Sequence, residues 1–368
     1  MKATQTYCFR FERCQDRSQL EKDWLSVQNT ADGSFFLSWM WVGTWLESFA
    51  PKAWVLRAFD EDQTLCGIGL FVFNKRKRLG VVSSNVLHLH ETGVADQDQI
   101  WIEYNGLLTR EGLAENFYAE LFAFLKGIES WDEFIVGAIS AEVAATFSRS
   151  LELYCHQLWH SKSYGVALTP FTENADNYLS SLSSGLRRQI NRCRRFYSEF
   201  GEVSMIRPNT LAGALDSFDQ IAPLHELRWR EEPTGSGFTN PLFVGFHKTL
   251  IEKAWPQGGV DLLTLRAGDR PIGYLYNFIF RGKVYFYLGA FVQEQDSKAK
   301  PGFLAHTMAI QEYIDQGLSY YDFMGGEADY KVRLANRHSQ LYQMSWQRNT
   351  IGLIAERQLR KIKRRVGL

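Results

Sequence analysis

The chain has 368 residues, 41 basic and 41 acidic side chains, 45% apolar residues and 14% aromatics. A chain of this size buries about three quarters of the surface its unfolded form exposes, which excludes disorder as its main state and makes disulfides or a structural metal unnecessary. A formal net charge of zero supplies no global field for polyanions and excludes a general nucleic-acid binder.

In chain order, the N-terminal MKATQTYCFRFERC alternates apolar and charged residues, lacks the apolar core of a signal peptide and predicts a first strand. The apolar run Gly67 to Phe73 falls far short of the roughly 20 residues of a membrane-spanning helix, as does every other apolar run in the sequence. Five cysteines without a C-x-x-C pair predict free thiols in a cytoplasmic setting. His88 and His90 alternate on a predicted strand, and Cys155, His156 and His160 are spaced for one turn of helix. Neither group gathers the further ligands of a zinc site, so no metal is expected.

The chain also resembles itself. LRAFDEDQTLCGIGLFVF (56–73) and LRAGDRPIGYLYNFIF (265–280) both read as strand, acidic turn and strand. Strand-like segments follow (85–93 and 283–291), then helical patterns (112–127 and 302–317), then strands opening at 131 and 320. Agreement of successive elements in order predicts a duplicated α/β (α+β) unit with mixed, mainly antiparallel sheets flanked by helices. The aperiodic SYGVALTPFTENADN (163–177) sets the boundary, giving domains 1–165 and 166–368, the second opening on a helix that runs through Gly201.

Phosphate-loop, dinucleotide, serine-hydrolase and zinc-protease motifs are absent from the sequence. The second half carries three chemical clusters. Pro301-Gly302-Phe303-Leu304 opens a helix after a polar loop, where unpaired amides and the helix dipole favour an anion and Lys298 and Lys300 add charge. DFMGGEADYKVRL from Asp322 sets Glu327, Asp329, Tyr330 and Lys331, an acid or base, a phenol and a cation, beside glycines that permit close backbone approach. His225 and Arg228 share a helical face next to Trp229, ahead of a loop, Glu231 to Pro241, that suits a lid. Basic stretches at 186–196 (Arg188, Arg192, Arg195) and 357–365 are solvated faces or sites for acidic partners, the latter also for weak contact with an anionic membrane surface.

Phe35-x-x-Ser38-x-x-Trp41, the basic helix 186–196, His225-x-x-Arg228-Trp229, Pro301-Gly302-x-Leu304 and Asp322-Phe323-x-x-Gly326-x-x-x-Tyr330-Lys331 resemble the tandem GNAT-type acyltransferases. Within these the resemblance is to the acetyltransferase family associated with cellulose and exopolysaccharide synthesis, a relative of the Fem-type aminoacyl transferases. It covers most of the chain and implies two tandem GNAT-like domains. Residues 1–165 would be a degenerate copy shaping the acceptor cleft, and 166–368 the catalytic copy. Lys300 departs from the small hydroxyl residue usual before Pro-Gly.

The resemblance implies acyl-coenzyme A, acetyl-coenzyme A among others, as co-substrate. It would be held at Leu288, Gly289, Ala290, Lys298, Lys300, Gly302, Phe303 and Leu304. His225 or Glu327 would accept the amine proton and Tyr330 would protonate the thiolate. Arg228 and Lys331 would hold an anionic part of the acceptor, with Trp229 and Asp329 beside them. The activity implied is N-acyl transfer to a small-molecule, sugar or amino-acid amine. One alternative is a Fem-type enzyme using aminoacyl-tRNA, with helix 186–196 on the RNA. Another is a non-catalytic component of a polysaccharide-synthesis complex, with Trp39, Trp41, Trp45 and Trp54 as its interaction surface.

Overall fold

The computed structural model describes residues 5–49, 52–78, 82–174, 177–232, 235–296 and 298–366. The chain forms two compact units, one of residues up to His160 together with Gln340 onward, the other Ser161–Ser339.

The first unit contains β1 (Cys8–Arg13), α1 (Arg17–Gln28), α2 (Trp39–Phe49), β2 (Trp54–Phe59), β3 (Leu65–Arg78), β4 (Val82–Leu89), α3 (Ala95–Asp98), β5 (Leu108–Thr109), α4 (Phe117–Gly127), β6 (Glu133–Ser140) and α5 (Ala141–Leu151). β7 (Tyr154–Ala167) starts in this unit and ends in the other. The second unit then contains α6 (Thr169–Asn174), α7 (Tyr178–Ser181), α8 (Ser184–Ser198), β8 (Val203–Ile206), α9 (Leu211–Trp229), α10 (Pro241–Ala254), β9 (Val260–Ala267), β10 (Arg270–Phe280), β11 (Lys283–Phe291), α11 (Pro301–Asp315), β12 (Tyr320–Gly325) and α12 (Asp329–Leu334). β13 (Arg337–Gln347) carries the chain back to the first unit, which α13 (Ile351–Val366) completes.

Each unit repeats one plan. In the first, β2, β3 and β4 form an antiparallel meander, α4 follows, and β6 lies parallel to β4 from Val86↔Glu133 to His88↔Ile135. In the second, β9, β10 and β11 form the meander, α11 follows, and β12 lies parallel to β11. This is the predicted repeat: two α/β units with mixed, mainly antiparallel sheets flanked by helices. Local chemistry sets the joints. Arg281 and Gly282 both take left-handed φ (50° and 73°), the backbone of a tight hairpin turn, and pair Phe280 with Lys283. Gly317 (φ 76°) ends α11 and turns the chain into β12.

Packing places helices on both faces of the second sheet. On β10, Leu275 joins the core under α8 and α11, and Asn277 donates to the Tyr313 hydroxyl of α11. Their neighbours turn the other way: the Tyr274 hydroxyl donates to Gln220 of α9, and Tyr276 and Phe278 pack on His247 of α10. That alternation is the period-two signature of a sheet covered on both sides.

Three expectations are corrected. The division falls at His160/Ser161, inside β7, and residues 340–368 belong to the first unit, so 166–368 is not one body. In the first unit Glu133 accepts from Ser345 Oγ and Gln347 Nε2 at 2.5 and 2.7 Å and also meets buried Arg78, which ties the returning strand there. Cys155, His156 and His160 lie on a strand, where they share no helical turn. Trp41 and Trp45 are buried, and Trp39 and Trp54 are half-buried, Trp54 stacked on Phe11, so the tryptophans serve packing and not an exposed surface.

Candidate active site

The second sheet opens where β11 leaves β12. Their parallel register runs from Lys283↔Tyr320 only to Tyr285↔Asp322, although β11 continues to Phe291 and β12 to Gly325. Two irregularities cause the parting. Tyr276 pairs with Leu288 and Asn277 with Phe286, so Tyr287 is an extra residue, a bulge that bends β11. On β12, Met324 adopts φ 60°, and the strand then pairs with β7 through Gly325↔Ser163. Among the described residues, 288–291 keep β10 on one side and have no β12 partner on the other.

Leu288, Gly289 and Ala290 sit in this unpaired stretch, Leu288 and Ala290 with buried side chains. A Cβ at Gly289 would stand 3.0 Å from both the Phe286 ring and the Tyr274 carbonyl oxygen, a tight contact that a side chain could enter only if its neighbours shifted. Gly302 follows Pro301 in the first turn of α11 and faces the Phe291 ring, 3.3 Å from where its Cβ would lie. Phe303 and Leu304 are buried in the core; Phe303 also lies under the Arg333 guanidinium, 4.9 Å away. Lys298 and Lys300 are exposed. Lys298 pairs loosely with Asp296 at 3.8 Å, and the Lys300 N–H donates to Cys193 Sγ at 3.3 Å. Burial pushes the Cys193 thiol up to about 11, which keeps it protonated.

The β12–α12 segment sorts its residues sharply. Asp322 is buried and accepts from the Met324 N–H (2.7 Å) and Ser163 Oγ (3.3 Å), fixing the strand end. Lys331 is buried too, its ammonium donating to the carbonyls of Met324 and Gly325. That corrects its reading as an acceptor-holding cation: the charge closes the turn. Glu327 is exposed and 3.7 Å from Lys162; Asp329 is exposed and pairs with Arg333 at 3.3 Å. Tyr330 is half-buried, and burial raises its pKa, so the phenol stays protonated.

His306, which no motif marked, completes this cluster. It lies on α11 one turn beyond Gly302, buried, and stacks on Tyr330 with centroids 5.1 Å apart and planes 6° from parallel. Its Nδ1 is 3.0 Å from the Tyr321 hydroxyl, while Nε2 is buried without a hydrogen-bond partner among the described residues. Burial, reinforced by the Lys331 charge, holds its pKa down at about 3. A lone histidine on an apolar helix face carries no spacing signal.

His225 stands on the α9 side. It is buried, stacks on Trp229, and its Nδ1 lies 2.8 Å from Ser236 Oγ in the loop expected to act as a lid. Pro233 and Thr234 of that loop lie outside the described residues. Arg228 is exposed over the Trp229 ring. Among the described ring contacts and hydrogen bonds, His225 shares no partner with Tyr330, whose neighbours are Phe286, His306 and Phe323.

Burial depresses the His225 pKa to about 4, from 6.5. As pH falls, the unfolded chain takes up this proton first, so stability is lost progressively from about pH 6.5 to about pH 4, up to about 3 kcal/mol from this group. Melting temperature measured across that window is expected to fall in the wild type and to fall less steeply in His225→Asn. Identical slopes would contradict the assignment.

Residues 184–332 match the family model described as an acetyltransferase (GNAT) domain, a stretch that runs from the start of α8 into α12. No curated protein sequence matches the chain. Solved structures of similar fold include FemX, at 11% identity and a TM-score of 0.59 over 92% of this chain and 98% of that one. L-PGS from Bacillus licheniformis is similar at 10% identity and a TM-score of 0.53, over 93% and 95%. The C-terminal domain (DUF2156) of a putative lysylphosphatidylglycerol synthetase from Agrobacterium fabrum gives 10% and 0.53, over 91% and 94%. At such identities these likenesses are of fold alone, and the GNAT match itself lies within the second unit, at residues 184–332.

Proposed function

We propose that the second unit is an acyltransferase that moves an acyl group from coenzyme A to an amine on a small acceptor such as a sugar or amino-acid derivative. The parting of β11 and β12 inside the stretch that matches the GNAT model carries the reading. It leaves one strand edge unpaired next to a helix N-terminus with a glycine in its first turn, the two features an extended amide-bearing arm ending in a diphosphate requires. The unpartnered Nε2 of His306 supplies a further buried polar atom behind Gly302. The residues present therefore fit the coenzyme.

Bound there, the coenzyme would supply an activated thioester. Gly302 and the α11 amides with Lys298 and Lys300 would hold the diphosphate, and the amides of Leu288 to Ala290 would polarise the carbonyl. Tyr330, kept protonated by burial, would donate the proton that neutralises a leaving thiolate. Two groups are able to accept the amine proton: Glu327, in the segment just before α12, which carries Tyr330, and His225, neutral at pH 7. Arg228, Trp229 and Asp329 present polar and aromatic surface to an acceptor.

Purified protein is expected to melt at a higher temperature in the presence of acetyl-, succinyl- or longer acyl-coenzyme A, by the equivalent of about 2.7 kcal/mol at a hundredfold excess over Kd. No shift with any of them would sink the reading. The exposed arginines Arg188, Arg192 and Arg195 on α8 favour a second reading, in which aminoacyl-tRNA is the donor. Salt-dependent tRNA binding without coenzyme A binding would select it.

A further inference from the structure

In the first unit, α13 leaves an apolar face in water. Its inner side is fixed: Leu353 is buried, Glu356 meets the Arg78 guanidinium at 2.9 Å, and Gly352 packs so closely on Val82 that a Cβ would stand 2.6 Å from it. The outer side shows Ile351 (88% exposed), Ile354, Leu359 and Ile362 (54%). At 100° per residue these four fall within an arc of about 140°. Val82, beside Gly352, extends the exposed apolar surface.

Basic charge surrounds that face. Exposed Lys361 lies at its edge, and exposed Arg76 lies on β3 beside it: side chains alternate along a strand, so Arg76 shares the sheet side of Arg78, which meets Glu356 of α13, and its cross-strand partner Ser84 shares the side of Val82. Neither of these two cations has an acidic partner among the described residues. In sequence, α13 holds six basic residues and one acidic, in a chain whose formal net charge is zero.

From this arrangement we infer that the α13 face with Arg76 and Lys361 is a peripheral docking surface for an anionic lipid bilayer. Aliphatic side chains beside lysine and arginine match the acyl and headgroup layers of such a membrane, and neither signal alone anchors a protein stably. A second copy of the chain is disfavoured as the occupant, since a symmetric contact would press the same cations together. Nucleic acid would satisfy the cations but leave the isoleucines uncovered. Among the described residues no helix is long and apolar enough to cross a membrane, so the contact is superficial. The inference is independent of the acyl-transfer reading.

Co-sedimentation of the full chain with vesicles tests it. Binding is expected to vesicles of phosphatidylcholine with phosphatidylglycerol, to be lost at high salt, and to be absent with phosphatidylcholine alone. Ile351→Ser with Ile362→Ser, and separately Arg76→Glu with Lys361→Glu, should each weaken it about tenfold or more. All four positions are exposed, so the melting temperature should hold; the charge pair keeps the test valid if the serine pair does not fold. Equal binding to both vesicle types, unchanged binding by the variants, or light scattering that shows a dimer dissolved by the serine pair would overturn the inference.

Discussion

Gly302→Glu is expected to abolish acyl-coenzyme A binding, with at least a hundredfold loss in affinity by calorimetry, while the protein melts within a few degrees of the wild type. The steric cost to the fold is small. The new Cβ would meet only the Phe291 ring, at 3.3 to 3.7 Å, and Gly302 is half-buried at the start of α11. A glutamate in the first turn also suits the helix dipole, which offsets part of that cost. For a bound diphosphate the same carboxylate is a like charge at close range. At about 5 Å and an effective dielectric of 20, each charge pair costs about 3 kcal/mol, enough for the expected loss. Gly302→Ala separates the two effects, because it adds the Cβ without the charge and should weaken binding far less. Unchanged affinity in Gly302→Glu would remove the coenzyme from α11 and leave the fold assignment standing.

The fold was legible because duplication made each half a control on the other. LRAFDEDQTLCGIGLFVF and LRAGDRPIGYLYNFIF became β2–β3 and β9–β10, and the helix and strand that follow each meander came in the expected order. The return of β13 to the first unit left no trace in the sequence, because it depends on Glu133 meeting Ser345 and Gln347 more than 200 residues away. Cys155, His156 and His160 show a related failure: short polar segments carry little periodicity, and the strand is recognised only by its partners. At the site, residue types pointed to chemistry but not to geometry. Lys331 looked like a free cation until its ammonium was found on the Met324 and Gly325 carbonyls. The bulge at Tyr287, the unpaired Nε2 of His306 and the separation of His225 from Tyr330 arise from pairing and packing, which a linear pattern does not encode.

Tyr330→Phe is expected to lower kcat about a hundredfold or more while coenzyme affinity and melting temperature stay near wild type. The ring does the packing: it stacks on His306 and meets Phe286 and Phe323 edge-on, contacts that phenylalanine reproduces. Removing only the hydroxyl therefore tests proton donation with little disturbance to the core. Because burial raises the phenol's pKa, Tyr330 stays protonated through neutral pH, so the loss should persist across that range. General acid catalysis contributes about 10² to 10⁴ in rate, which sets the expected size. The effect should also depend on the leaving group, since a more acidic thiol needs less help from a proton donor. An acyl donor with such a thiol, assayed on both forms, is expected to narrow the gap between them. A Tyr330→Phe enzyme with undiminished kcat would remove this hydroxyl from the chemistry and leave the ring a packing role.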